Sequence, residues 1–126
     1  MSQENVEIVR AGYAAFAKGD LDRAFAMLDE GVQWEGVPGV DPCRTREEVE
    51  ATIRFNYQGG PRTEAEEFID AGDQVVVGFR VTGEVFEPYR GREHIYVVCT
   101  LRNGKVSLMR DYLNRSEALE AAGLSE

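Results

Sequence analysis

The sequence is poor in the residues that most metal and thiol chemistry requires. It holds one histidine, His94, and two cysteines, Cys43 and Cys99, among 126 residues. A lone histidine excludes a histidine-built metal centre, and the cysteines have no metal-ligand spacing and no histidine beside them, so both read as structural thiols. No apolar run approaches the ~20 residues that span a bilayer. The opening Met1-Ser2-Gln3-Glu4 lacks the basic and apolar regions of an export signal, so the expected location is the cytoplasm, where thiols stay reduced. Positive charge is also scarce: 14 Lys and Arg stand against 23 Asp and Glu, a net charge of −9. Such a surface repels phosphate backbones and anionic lipid, so neither nucleic acid nor membrane is expected as a partner. There is no P-loop, no dinucleotide fingerprint and no nucleophile–base pair. Gly59-Gly60 is turn chemistry rather than a phosphate cradle. No cofactor and no metal is expected.

What is present is a clear order of elements in a chain of single-domain size, 1–126. Val6, Val9, Tyr13 and Phe16 recur at helical spacing and predict a first helix from about Gln3 to Lys18, stopped by Gly19. Asp20 caps a second helix, Leu21 to about Leu28. A short strand is expected at Val32 to Glu35, then a loop rich in glycine and proline from Gly36 to Pro42. Thr45-Arg46-Glu47-Glu48 has the form of a capping box and predicts a third helix to about Tyr57, ended by Gly59-Gly60-Pro61. Four strands follow, at Glu64 to Ala71, Gln74 to Glu84, Glu93 to Arg102 and Val106 to Leu113. Asn103-Gly104 is a strong signal for a tight hairpin. Asn114-x-x-Glu117 caps a short final helix that Gly123 stops. Helices first and a meander after them predict α+β. The expected form is a cone-shaped α+β barrel: three N-terminal helices packed on a curved, mostly antiparallel sheet, with a short C-terminal helix. Its interior is the natural place for a ligand.

One residue stands out on energetic grounds. Asp111 lies mid-strand among apolar neighbours, where an ionised carboxylate is costly to desolvate unless it is paired or used.

The ordered set Tyr13-x-x-Phe16, Gly19-Asp20-Leu21-Asp22, Val32-Gln33-Trp34-Glu35, Tyr89-Arg90-Gly91-Arg92-Glu93 and Asn103 through Leu113 resembles the SnoaL-like branch of the nuclear transport factor 2-like superfamily, over almost the whole chain. That superfamily holds cyclases, isomerases, dehydratases, hydrolases and non-catalytic binding domains, often as homodimers joined through the outer sheet face, and the resemblance implies a homodimer here. The last strand is similar to that of limonene epoxide hydrolases, with Asp111 in the place of a catalytic aspartate. Arg80 matches the arginine that bridges two carboxylates there. Thr82 stands where the second carboxylate belongs, and Trp34 and Gly36 stand where a tyrosine and an asparagine hold water. Against ketosteroid isomerases, the general base falls on Glu35, while Gly12 and Val97 replace the oxyanion-hole tyrosine and aspartate. Polyketide cyclases of the SnoaL kind need mainly one aspartate near the sheet end, a role open to Asp111.

Strand alternation then assigns faces. With Asp111 inward, Met109 and Leu113 are inward and Arg110 and Tyr112 outward. The arginine match puts Val76, Gly78, Arg80 and Thr82 inward. On the next strand Glu93, Ile95, Val97 and Cys99 face inward, which leaves His94 outward and away from chemistry. The catalytic candidates are Asp111 as base, Arg80 as its orienter and Glu35 as a second base. Asp111 as a structural partner of Arg80, or as a solvated residue at a sheet end, stays open, as does a capping role for Glu35. The expected ligand wall is Tyr13, Phe16, Trp34, Ile53, Tyr57, Val97, Cys99 and Met109, of which Trp34, Tyr13, Phe16 and Tyr57 are equally read as core packing. The expected partner is a small, largely hydrophobic molecule.

Overall fold

The computed structural model describes residues 2–60, 62–85 and 88–124. Helix α1 spans Ser2–Ala17, and its stripe of Val6 and Val9 is buried. Gly19 takes a φ of +80°, and Asp20 caps α2 by accepting a hydrogen bond from the Arg23 backbone N–H at 3.2 Å. Helix α2 covers only Leu21–Phe25 and stops short of the expected Leu28, because Leu28 already begins strand β1, Leu28–Glu35, and pairs with Val106. Helix α3 is Arg46–Gly59. Thr45 accepts from the Glu48 N–H at 3.2 Å, and the Glu48 carboxylate reaches back to the N–H of Arg44 rather than that of Thr45. Both carboxylate and hydroxyl thus satisfy donors at the start of the helix. Pro61, part of the expected stop, lies outside the described residues.

The remaining strands are β2 (Thr63–Ala71), β3 (Gln74–Val81), β4 (His94–Arg102) and β5 (Lys105–Tyr112), followed by α4 (Arg115–Ala121). Asn114 precedes α4 but makes no side-chain cap, its Oδ1 instead lying 3.5 Å from Arg92 Nη1. The sheet is curved, with the order β1-β5-β4-β3-β2; β1 runs parallel to β5 and all other pairs are antiparallel. Asn103 and Gly104, at φ +53° and +76°, join β4 to β5 in the two-residue turn that such dihedrals require.

The sheet has two unequal faces. The inner face, with Val75, Val77, Phe79, Val97, Cys99, Leu101, Val106 and Met109, packs against Val6, Val9, Phe25, Val49 and Ile53 from the three N-terminal helices. The outer face is covered in part by α4, whose Ala118 and Leu119 pack on Val76 and Val98. The expected facing of β3 is inverted. Val75, Val77 and Phe79 point inward, while Arg80 points outward, opposite His94 in the ladder. Arg80 is half exposed and pairs with Glu64 at 3.4 Å and Glu66 at 3.5 Å, so the Arg80–Asp111 pair expected from the sequence does not form. The cause is physical: Val75, Val76 and Val77 are all fully buried, so the strand carries no alternation from which facing can be read.

Candidate functional site

Asp111 is directed inward by an irregularity in β5. The ladder pairs Leu101 with Val106 but Thr100 with Leu108, leaving Ser107 as an extra residue on β5. Val106 faces the core from one side of this bulge, and Met109 and Asp111 face it from the other. If Ser107 instead took a regular place in the ladder, Leu108 and Arg110 would take the inner positions, since a shift of one residue reverses every side chain beyond it. Ser107 Oγ donates to the Thr100 carbonyl at 3.2 Å and ties the bulge to β4.

Two donors hold the Asp111 carboxylate. Trp34, on β1 beside Met109, donates its indole N–H to Oδ1 at 2.8 Å. Tyr89, from the segment between β3 and β4, donates its hydroxyl to Oδ2 at 2.6 Å. Both distances belong to charge-assisted bonds, which favour the ionised carboxylate. Burial acts against them and wins: the Asp111 carboxyl is raised above its ordinary value, desolvation being the largest influence. Among the described residues, no guanidinium or ammonium is among the influences on this group. Among the described residues it has no ion-pair partner.

Tyr13 and Cys99 complete the surroundings. The Tyr13 ring stands edge-on to Phe79 at 5.2 Å between centroids and tilted against Phe68 at 6.3 Å. Its phenol is close enough to the Cys99 thiol and the Asp111 carboxylate for both to influence it. Burial raises the Tyr13 phenol well above the usual range, with Cys99 and Asp111 adding to the effect, and pushes the Cys99 thiol up to about 12. Cys99 is therefore a neutral thiol at physiological pH and no nucleophile. The Tyr89 phenol is raised too, chiefly by burial and then by the charge of Asp111. At neutral pH these groups are hydrogen-bond donors around a single acid.

Of the residues expected at the site, Trp34, Tyr13 and Cys99 meet around Asp111, and Ile53, Val97 and Met109 belong to the same inner core. Phe16 and Tyr57 form an edge contact with each other at 5.8 Å, and Tyr57 is 48% exposed. Glu35 does not join them. It lies on the outer face beside Arg110, whose Nε donates to it at 2.8 Å. Tyr89 has no functional reading in the sequence, where it stands in an irregular stretch with no periodicity to place it. The signal it offers there is weak, an aromatic residue between the turn formers Pro88 and Gly91; in the structure it is 9% exposed.

Open cavities lined by described residues lie near Gly36, beside the Tyr89 hydroxyl, and around His94. One of about 320 Å³ is lined by Gln33, Gly36, Val37, Pro38, Val40 and Cys43, and one of about 550 Å³ by Arg92, Glu93, His94, Tyr96, Asn114 and Arg115. Among the described residues no group of three histidine, cysteine, aspartate or glutamate side chains is disposed to hold a metal ion, and no helix is long and apolar enough to cross a membrane.

Comparison with known proteins agrees with this architecture. No curated protein matches the chain. Among solved structures, an NTF2-like protein of unknown function from Burkholderia pseudomallei is 28% identical, with 95% of this chain and 97% of that one covered and a TM-score of 0.67. A Mycobacterium tuberculosis epoxide hydrolase of the limonene epoxide hydrolase-like kind shares the fold at 20% identity, covering 96% and 90%, with a TM-score of 0.70. A putative ketosteroid isomerase from Kribbella flavida shares it at 17% identity, covering 90% and 80%, with a TM-score of 0.70. The model of the SnoaL-like domain matches residues 9–109, and the chain belongs to that family.

Proposed function

We propose that the protein binds a small, largely hydrophobic molecule beside Asp111 and performs cofactor-free acid–base chemistry on it, of the cyclase, isomerase or hydrolase kind. One observation carries this reading: an inward-facing carboxylate, raised by burial and fixed by Trp34 and Tyr89, among aromatic and aliphatic side chains. A base works best when its pKa approaches the operating pH, and desolvation moves Asp111 in that direction. Trp34 and Tyr89 take the orienting role that the sequence suggests for Arg80. The outward position of Glu35 leaves Asp111 as the base in this scheme. A homodimer joined through the outer sheet face belongs to the same proposal, with Tyr96 and Tyr112 beside α4 as half-buried apolar groups that such a contact would cover.

Proton abstraction from carbon can be followed without knowing the natural substrate. Small cyclic ketones in deuterium oxide, observed by proton NMR, are expected to exchange their α-hydrogens faster with the protein than without it. Asp111→Asn is expected to remove about 10²–10⁴-fold of that acceleration, the usual share of a positioned base. Equal exchange by the Asn variant removes Asp111 from the chemistry, and leaves at most a binding function.

A further inference from the structure

The structure already contains a hydroxyl group where a ligand's polar atom would have to go. Tyr89 belongs to none of the five strands, and its neighbours Pro88, Arg90 and Gly91 are turn residues, Gly91 at φ +85°. Its side chain nonetheless runs inward, is 9% exposed and ends 2.6 Å from Asp111 Oδ2. The hydroxyl also packs close to Gly36: a Cβ built there would lie 3.4 Å from it. Trp34 occupies Oδ1, so Oδ2 is the oxygen that Tyr89 covers.

Resting on the binding function proposed above, we propose that Tyr89 is an internal competitor for the site, and that the ligand is a neutral ring compound whose hydroxyl, phenolic or enolic, replaces that of Tyr89 on Asp111 Oδ2. Charge and geometry select this class together. An anionic ligand would meet a carboxylate that no cation pairs with among the described residues, within a molecule of net charge −9. A purely apolar ligand that displaced Tyr89 would cover a part-buried carboxylate oxygen and leave it short of a donor, which is unfavourable. A neutral O–H on a ring restores the bond that is lost and matches the aromatic surroundings of Tyr13, Trp34 and Phe79.

Competition of this kind has an uncommon consequence: removing a hydrogen-bonding group from the site must improve binding. Phenol, toluene and benzylamine are titrated into the full-length protein and into Tyr89→Phe, which keeps the ring and loses the hydroxyl. Affinities come from calorimetry, and the place of binding from shifts of the Trp34 indole N–H signal. Tyr89→Phe is expected to bind phenol about tenfold tighter than the parent protein, the worth of one charge-assisted hydrogen bond no longer contested, with toluene changed little. In the parent protein phenol, but not toluene, is expected to move the ring signals of Tyr89, a readout that needs no variant. Equal or weaker phenol binding by Tyr89→Phe overturns the inference, as does tighter binding of benzylamine than of phenol. If toluene still shifts Trp34 in that case, the apolar binding function survives its loss. If no probe shifts Trp34 in either protein, the binding function itself fails and the inference falls with it.

Discussion

At the scale of single residues, the energetics centre on an acid whose ionised form the fold disfavours. Because the folded-state carboxyl of Asp111 is raised, the protonated form is the better bound to the fold. The stability this supplies is full below the unfolded carboxylate value of ~3.9, and is lost as pH rises through the folded value. Asp111→Asn is neutral at every pH and keeps groups able to bond both Trp34 and Tyr89. Its melting temperature relative to the parent protein is therefore expected to improve between pH 4 and pH 7.5. Each unit by which the carboxyl is raised corresponds to about 1.4 kcal/mol at the upper end. Thermal unfolding by circular dichroism at the two pH values checks this; a parent protein that gains on the variant as pH rises would contradict it. The inward position of Asp111 is suggested by the sequence alone, from its place in an apolar strand. Its partners are not. Trp34 is visible as an aromatic near the site, but an indole N–H has no sequence signature that says what it will bond, and Tyr89 lies in a stretch without periodicity.

Secondary-structure elements divide by whether their connections transmit facing. The two-residue turn at Asn103-Gly104 locks β4 to β5 and is readable from the dipeptide alone. Gly104→Ala places a Cβ at φ +76° and is expected to destabilise by about 1–2 kcal/mol, measurable by urea unfolding; an unchanged midpoint would mean that the turn had changed type. The twelve residues from 82 to 93, by contrast, fix nothing about β3 relative to β4. With β3 also buried on both sides, the outward direction of Arg80 is not recoverable from the sequence, and analogy with an arginine in a related strand points the wrong way. The bulge at Ser107 is invisible for a similar reason, since Val106 and Met109 both look like core residues, and no local signal says which intervening residue is extra. Its effect on Asp111 is nevertheless decisive.

At the scale of the whole molecule, the outer face of the sheet carries paired charges. On the outer face Arg110 pairs with Glu35 and Arg115 with Glu67 at 2.8 Å, and His94 Nε2 lies 3.1 Å from Glu66 Oε1. The Arg115 bond is the main influence holding the Glu67 carboxyl below its ordinary value. Exposed pairs of this kind contribute ~0–1 kcal/mol each, so they organise the surface more than they hold the fold. Burial by α4 is the larger effect on that side. A chain ending at Leu113 would uncover Val76 and Val98, and is expected to melt at a lower temperature and to form larger assemblies in light scattering than the full chain. Unchanged melting and size would show that α4 is dispensable.

The bond between Trp34 and Asp111 gives the protein an optical reporter of its own. The chain has a single tryptophan, so its ultraviolet emission comes from one indole, and that indole touches the acid on which the proposed chemistry depends. Protonation of the acid, or the arrival of a guest beside it, changes the electric field along the ring, so the colour and brightness of the emitted light should follow both events without a label being attached.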